Sequence, residues 1–183
     1  MNKYDILVAI DIGIHGGIAF FDVDESNHES HGLLSIRDMP IKKHTNKSGK
    51  EKNILDIDQL LFVLEIPTQH GEHALVVMED VRSFGLGFSV SALMEQKGVI
   101  RGMAKTLGYD ELLIEPKTWQ RHFGIVCPKN IKTKESRRKW LKKESLETTK
   151  VKFPDWGHKI KHDGISDALL IGLWGMETLS PPK

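Results

Sequence analysis

The chain contains 183 residues, of which 39% are hydrophobic and 28% are charged, and its formal net charge is +1. These values are ordinary for one globular domain, so we expect residues 1–183 to form a single domain. The single cysteine, Cys127, excludes an internal disulfide and is typical of a reducing compartment. No apolar run has the length of a membrane span, and the N-terminus lacks the apolar segment of a signal peptide. We therefore expect a cytoplasmic protein without a membrane partner.

The charge is distributed unevenly along the chain. Residues 1–80 contain seven Lys or Arg and fourteen Asp or Glu, whereas residues 81–183 contain nineteen and eleven. The most basic stretch is PKNIKTKESRRKWLKK, from Pro128 to Lys143. A lone charge run is most often a solvated helix face, but in a domain with a metal site it would also suit a polyanionic substrate.

In chain order, the first predicted elements are strands. Apolar runs separated by turn residues predict strands in Asp5–Asp11, Gly16–Asp24 and His31–Pro40, and the short connections indicate an antiparallel meander. The polar segment Lys42–Lys52 has no periodicity and is predicted to be a mobile loop. Apolar residues at helical spacing predict a helix in Ile54–Ile66, ending before Pro67.

The remainder of the chain is predicted to alternate strands and helices. The apolar run His73–Asp80 predicts a buried parallel strand. The later elements are a long helix over Phe88–Leu107, a short strand in Glu111–Pro116, a helical turn at Pro116–Trp119, a basic helix over Thr133–Leu146 and a last helix over Asp163–Thr178. The order β-β-β-α-β-α-β-α predicts an α/β fold with a central mixed five-stranded sheet flanked by helices.

Four acidic residues occupy places where a carboxylate is costly. Asp11 ends the first predicted strand, Glu79 ends the fourth, and the pair Asp163 and Asp167 opens the last helix. Burying an isolated carboxylate is unfavourable, whereas clustered carboxylates are typical ligands of hard divalent cations. Asp163 and Asp167 are four residues apart and project from one helix face, where the helix dipole favours negative charge.

Structural alternatives exist for most of these residues. Asp11 could simply begin a turn, and Asp163 is a good N-cap for the last helix. Asp80 competes with Glu79 for the position that faces the site, because neighbouring residues of a strand point to opposite sides. Asp167 lies before an apolar run inside the helix, where no structural role is evident.

Four motifs, in this order, resemble the RuvC-type Holliday junction resolvases, especially their phage and poxvirus-like branch. They are VAIDIGIHGGIAFFD, VVMEDV, EQKGVIRGMAKTLGYDELLIEPKTWQRHFG and KHDGISDALLIGLWG. The resemblance implies a ribonuclease H-like fold, in which the first and fourth strands lie side by side and the last helix packs over them. It also implies a metal-dependent endonuclease that resolves four-way DNA junctions by paired symmetric nicks, in the cytoplasm of a bacterium or a phage-infected host.

The resemblance assigns catalytic and metal-binding roles to Asp11, Glu79 and Asp167, and we expect Asp163 to be the fourth ligand. It implies Mg²⁺, with Mn²⁺ as a substitute, at two ions per site, and products with 5′-phosphate and 3′-hydroxyl ends. In the bacterial resolvases the last two acids are three residues apart, whereas Gly164 occupies that position here. His162 is therefore an alternative fourth ligand. Two further accessory candidates for phosphate contact are Lys117 and Lys161.

Paired nicking of a two-fold symmetric junction suits a homodimer with two identical sites. The resemblance implies an interface on the long helix, where the apolar candidates are Val90, Leu93, Met94, Val99, Ile100 and Met103. Covering the sheet is the alternative role for these side chains. The residues predicted to contact DNA are Lys42, Lys43, Lys47, Arg82, Phe84, Lys132, Lys134, Arg137 and Arg138.

Three other functions stay open on the sequence alone. A phage nuclease of the same fold could cut Y-forks and flaps more broadly. The sugar-kinase and actin-like ATPases also have Asp-x-Gly after a first strand, but they need two such domains and this chain has room for one. A non-catalytic DNA-binding module is the third alternative, and the complete set of acids argues against it.

Overall fold

The computed structural model of the protein describes residues 3–24, 31–80 and 88–179. The strands are β1 (Ile6–Asp11), β2 (Gly17–Asp22), β3 (Leu33–Asp38), β4 (Ile41–Thr45), β5 (Glu51–Leu55), β6 (Ala74–Glu79) and β7 (Asp110–Ile114). The helices are α1 (Ile57–Leu64), α2 (Ile66–Gln69), α3 (Phe88–Thr106), α4 (Pro116–His122), α5 (Lys134–Lys152) and α6 (Asp163–Leu179), with a 3₁₀ segment at Pro154–Lys159. Within these residues, no helix is long and apolar enough to cross a membrane.

Five strands form one mixed sheet in the order β3-β2-β1-β6-β7. β1 lies at its centre, antiparallel to β2 and parallel to β6. β3 is antiparallel to β2, and β7 is parallel to β6. The predicted α/β fold with a mixed five-stranded sheet is confirmed, and the first and fourth predicted strands are indeed neighbours.

Helices cover both faces of this sheet. Leu7 and Ala9 of β1 belong to an apolar cluster with α6, whereas Ile6, Val8 and Ile10 point the other way into a cluster with α1 and α3. Because both faces are covered, β1, β2 and β6 are apolar along almost their whole length instead of alternating with polar residues.

The segment Lys42–Lys52, predicted to be a mobile loop, forms a β-hairpin instead. β4 and β5 pair antiparallel over their five residues each. Asn46 organises the turn, since its Oδ1 accepts the backbone N–H groups of Ser48 and Lys50, and Gly49 adopts a φ of +79°. Nearly every hairpin residue is exposed, so the sequence lacks the apolar alternation by which a half-buried strand is recognised.

The first helix begins later than predicted. It starts at Ile57, because Asp56 caps it by accepting a backbone N–H of the first turn, while Ile54 and Leu55 extend β5. α1 ends at Leu64, before Pro67 as predicted, and Pro67 occupies the first turn of a further short helix, α2, where proline needs no N–H partner.

α6 docks on the turn between β1 and β2 through direct backbone contact. Gly16 and Gly164 form an isolated parallel bridge. A Cβ on Gly164 would overlap the carbonyl oxygen of His15, and a Cβ on Gly17 would lie 2.8 Å from the carbonyl oxygen of Gly164. These three glycines therefore allow the first turn of α6 to reach the end of β1.

We expect Gly164→Ala to lower the free energy of unfolding by about 1–3 kcal/mol, because the added methyl group must push α6 away from the β1–β2 turn. Urea denaturation measures the change. Gly98→Ala on α3 is the matched control: its Cβ would meet no atom within 4 Å. We expect it to be neutral or to stabilise by about 0.5–1 kcal/mol. Equal stability of Gly164→Ala and the wild type would contradict the close contact.

Candidate functional site

The four predicted acids lie at one edge of the sheet. In the parallel register Ile10 pairs with Met78, so Asp11 and Glu79 follow at the same level on adjacent strands. α6 adds two more carboxylates in its first two turns. The negative charges of Glu79, Asp163 and Asp167 each raise the pKa of Asp11. The strand ends and the first turns of α6 therefore share one electrostatic environment.

This environment disfavours ionisation of Asp11, Glu79 and Asp167. Burial raises the pKa of Asp11 well above its usual value, and repulsion from the other three carboxylates raises it further. Burial raises the pKa of Asp167 to about 7, although a hydrogen bond from Ser145 opposes the shift. Burial also raises the pKa of Glu79. Bound cations would therefore reduce the free-energy cost of ionising these carboxylates.

Glu79 and Asp80 face different neighbours. The indole N–H of the buried Trp119 in α4 donates to Oε1 of Glu79 at 3.0 Å. Asp80 instead forms an ion pair with the buried Lys97 of α3, with 2.6 Å between Nζ and Oδ1. Glu79 is therefore the member of this pair that is directed toward the other acids, and Lys97 neutralises the charge of Asp80.

Helix α5 contacts both acids of α6. The Lys142 ammonium forms an ion pair with Asp163, and the Ser145 hydroxyl donates to Oδ1 of Asp167. Partial burial would raise the pKa of Asp163, but Lys142 holds it below its usual value. The sequence predicted Lys142 only as part of the basic stretch Pro128–Lys143, and it did not predict the contact of Ser145. The available signal was spacing, because Lys142, Ser145 and Thr149 fall on one helix face.

The donor set fits a hard divalent cation, since it consists of carboxylate oxygens in a buried cluster of like charge. The side chains are nevertheless not assembled into a cage. Among residues 3–24, 31–80 and 88–179, no three His, Cys, Asp or Glu side chains stand close enough together to hold one ion. Coordination would therefore require side-chain movement.

The accessory candidates lie around this edge. His162 is directed toward the end of β3, where its Nε2 lies 2.6 Å from Oδ1 of Asp38, and its buried Nδ1 has no partner among the described residues. Lys161 is exposed beside it. Lys117 is also exposed, in the first turn of the helix α4 that supplies Trp119.

The three lysines of the hairpin that are predicted to bind DNA are Lys42, Lys43 and Lys47, and two of them form ion pairs within the chain. Lys42 lies 3.3 Å from Asp56, and Lys43 lies 3.2 Å from Glu51, both in exposed ion pairs. Lys47 is exposed at the hairpin turn. Exposed ion pairs are weak, so these side chains can rearrange toward a phosphate at little cost.

A second group of basic residues lies at the beginning of α5. Arg137 folds back and donates from Nε to the Ile131 carbonyl at 2.8 Å. All four predicted residues of this group are exposed: Lys132, Lys134, Arg137 and Arg138. The predicted residues Arg82 and Phe84 lie outside the described part of the chain.

No protein-family model and no curated protein matches the sequence. Solved structures do match the fold. RuvC of T. thermophilus in complex with a Holliday junction substrate gives a TM-score of 0.51 at 11% identity, over 92% of this chain and 90% of that chain. The fowlpox virus Holliday junction resolvase gives 0.53 at 18% identity, over 94% and 99%. Its complex with substrate Holliday junction DNA gives 0.50 over the same shares. The expected RuvC-type fold is therefore confirmed.

In the metal-free protein we expect stability to fall as the pH rises from about 5 to about 8. The pKa of Asp167 is about 7 in the folded protein, but roughly 3.9 in an unfolded chain. Between these two values the folded state binds more protons than the unfolded chain, so stability falls with rising pH until Asp167 has ionised in the folded state, and Asp11 acts in the same direction.

Asp167→Asn tests this electrostatic cost. Its amide oxygen can still accept the Ser145 hydroxyl, so in EDTA at about pH 8 we expect the free energy of unfolding to rise by about 2 kcal/mol. Urea denaturation across the pH range should also give a flatter profile than the wild type. Asp58→Asn, at a side chain that is 92% exposed, is the control and should leave the profile unchanged. A variant without stabilisation near neutral pH would show that neither burial nor repulsion makes the ionised Asp167 carboxylate costly.

Proposed function

We propose that this protein is a metal-dependent endonuclease that resolves four-way DNA junctions by paired symmetric nicks. The observation that carries the proposal is the convergence of four carboxylates at one sheet edge, in a fold shared with solved Holliday junction resolvases. In this proposal the ligands are Asp11, Glu79, Asp163 and Asp167, and the site takes two Mg²⁺ ions, for which Mn²⁺ can substitute.

The chain's own residues would orient the ligands and leave the chemistry to the substrate and water. Trp119 fixes one oxygen of Glu79, and Ser145 fixes one oxygen of Asp167, so each carboxylate keeps its second oxygen for coordination. When bound, the cations would lower the pKa of an attacking water and stabilise the leaving oxygen. Hydrolysis in this manner needs no protein nucleophile and would yield 5′-phosphate and 3′-hydroxyl ends.

Two basic elements adjoin the acidic edge and support DNA as the substrate. β3 runs toward this edge, since Asp38 pairs with Gly17, and the Met39 N–H donates to the Gly16 carbonyl before the hairpin begins. The hairpin therefore extends its lysines from the same edge, while α5 contributes its own cations next to α6. Contacts of such cations with phosphates would position the nucleic acid without reading its sequence.

We also propose a homodimer, because resolution needs two nicks related by two-fold symmetry. Most of the candidate interface on α3 is already used within the chain: Ile100 is fully buried, while Leu93, Val99 and Met103 pack against the core. Val90 is half-buried, and Met94, at 38% exposed, is the candidate on this helix that remains most available.

Light scattering should give about twice the chain mass of 20.7 kDa if the homodimer forms through this face. Met94→Glu would place a charge in the interface, so we expect a monomer that still binds a junction but makes unpaired nicks. Phe62→Glu, at an exposed apolar residue on α1, is the matched control and should stay dimeric. A monomeric wild type would refute the dimer and leave the nuclease proposal standing.

Cleavage of an immobile four-way junction tests the activity itself, with a linear duplex and a Y-fork as comparison substrates. We expect paired nicks in the junction with Mg²⁺ and none with EDTA. Asp11→Asn should reduce the cleavage rate by at least about 10³-fold while leaving junction binding largely intact. Asp58→Asn again serves as the control. Equal cutting of Y-forks would favour a broader branched-DNA nuclease, and a lack of metal-dependent cutting would refute the proposal.

A further inference from the structure

Helix α5 joins the basic surface to the acidic cluster through two residues on one face. Lys142 reaches Asp163 from the surface, with 47% of its side chain exposed, whereas Ser145 is only 2% exposed and holds Asp167 from the interior. Lys142 and Ser145 are three residues apart, and the two acids are four apart. Neighbouring positions on α5 thus contact neighbouring positions on α6, and one of these two contacts lies at the surface while the other is buried.

Lys142 supplies positive charge to the cluster. Among the described residues it is the cationic side chain that forms an ion pair with one of the four acids. Its charge also acts favourably on the ionised forms of Asp11 and Asp167. The ammonium therefore gives part of the compensation that a divalent cation would give, and it occupies one of the two oxygens of Asp163.

We propose that Lys142 is an exchangeable counterion that couples DNA binding to metal binding. In the free protein it neutralises Asp163 and lowers the affinity of the site for a divalent cation. When nucleic acid binds, a backbone phosphate takes over the ammonium, and Asp163 becomes available for coordination. The proposal rests on the function proposed above and adds to it the order in which the site is completed.

The surrounding contacts permit this exchange without movement of the helices. Ser145, Thr149 and Ser166 form a buried hydroxyl network, with 2.6 Å between Oγ1 of Thr149 and Oγ of Ser166. This network fixes α5 against α6. Lys142 lies outside it on a flexible four-carbon stem, so a change of rotamer is sufficient to move the ammonium from carboxylate to phosphate.

Metal affinity of the free protein is the primary test, measured with Mn²⁺ by calorimetry in the absence of DNA. We expect Lys142→Gln to bind Mn²⁺ about tenfold more tightly than the wild type, within the range typical of coupled sites. Lys142→Arg should bind more weakly than Lys142→Gln, because the guanidinium can hold Asp163 through two hydrogen bonds. Lys143→Gln removes the same charge one residue away, where the lysine pairs with Glu147, and should behave as the wild type.

The complementary measurement is the Mn²⁺ concentration for half-maximal cleavage at saturating junction. Here the wild type and Lys142→Gln should agree within about twofold, since the DNA has already removed the ammonium from Asp163. An unchanged Mn²⁺ affinity in free Lys142→Gln, or an equal gain in Lys143→Gln, would overturn the proposal. Cleavage and metal binding by the wild type would in that case still support the nuclease. A wild type that neither binds Mn²⁺ nor cuts DNA would overturn both.

Discussion

Repulsion among carboxylates at the ends of β1 and β6 is the constraint around which this part of the molecule is arranged. Two unit charges 4 Å apart repel by about 1 kcal/mol in water and by about 4 kcal/mol at an effective dielectric of 20. Trp119 and Ser145 donate hydrogen bonds to the cluster, and Lys142 places an ammonium beside it. A fifth carboxylate, that of Asp80, forms an ion pair with Lys97 of α3, which neutralises its charge.

The contact between α5 and α6 includes a group of buried hydroxyls, formed by Ser145, Thr149 and Ser166. It lies beside apolar side chains of α5, Leu141 and Leu146, that pack against the core. Hydrogen bonds are directional, so this contact fixes the rotation of α5 about its own axis more narrowly than apolar packing would. The rotation matters because it determines which basic side chains of α5 face the acids and which face solvent.

The sequence was sufficient to predict the features that have a local pattern. β1 and β6 are continuous apolar runs ending in acids, and α6 is an apolar stretch opened by Asp163, so both their positions and their charged ends could be predicted. The hairpin could not be predicted, because both of its faces are exposed and its sequence therefore lacks alternation of apolar and polar residues. Its turn depends on hydrogen bonds to the Asn46 side chain. The contacts of Lys142 and Ser145 depend on how α5 docks, which no local pattern determines. The role of Trp119 beside Glu79 was missed for the same reason.

The backbone contact between Gly16 and Gly164 also determines when the site can exist. It joins the turn after β1 to α6, so the four acids cannot assemble until the chain through α6 is available. Closing so long a loop is slow, because the chain loses its entropy before the contact stabilises it. During synthesis, β1 and β6 would leave the ribosome well before α6. A nascent chain that lacks α6 would thus carry the basic hairpin without the complete acidic cluster, and the capacity to hold metal would arrive only when α6 docks.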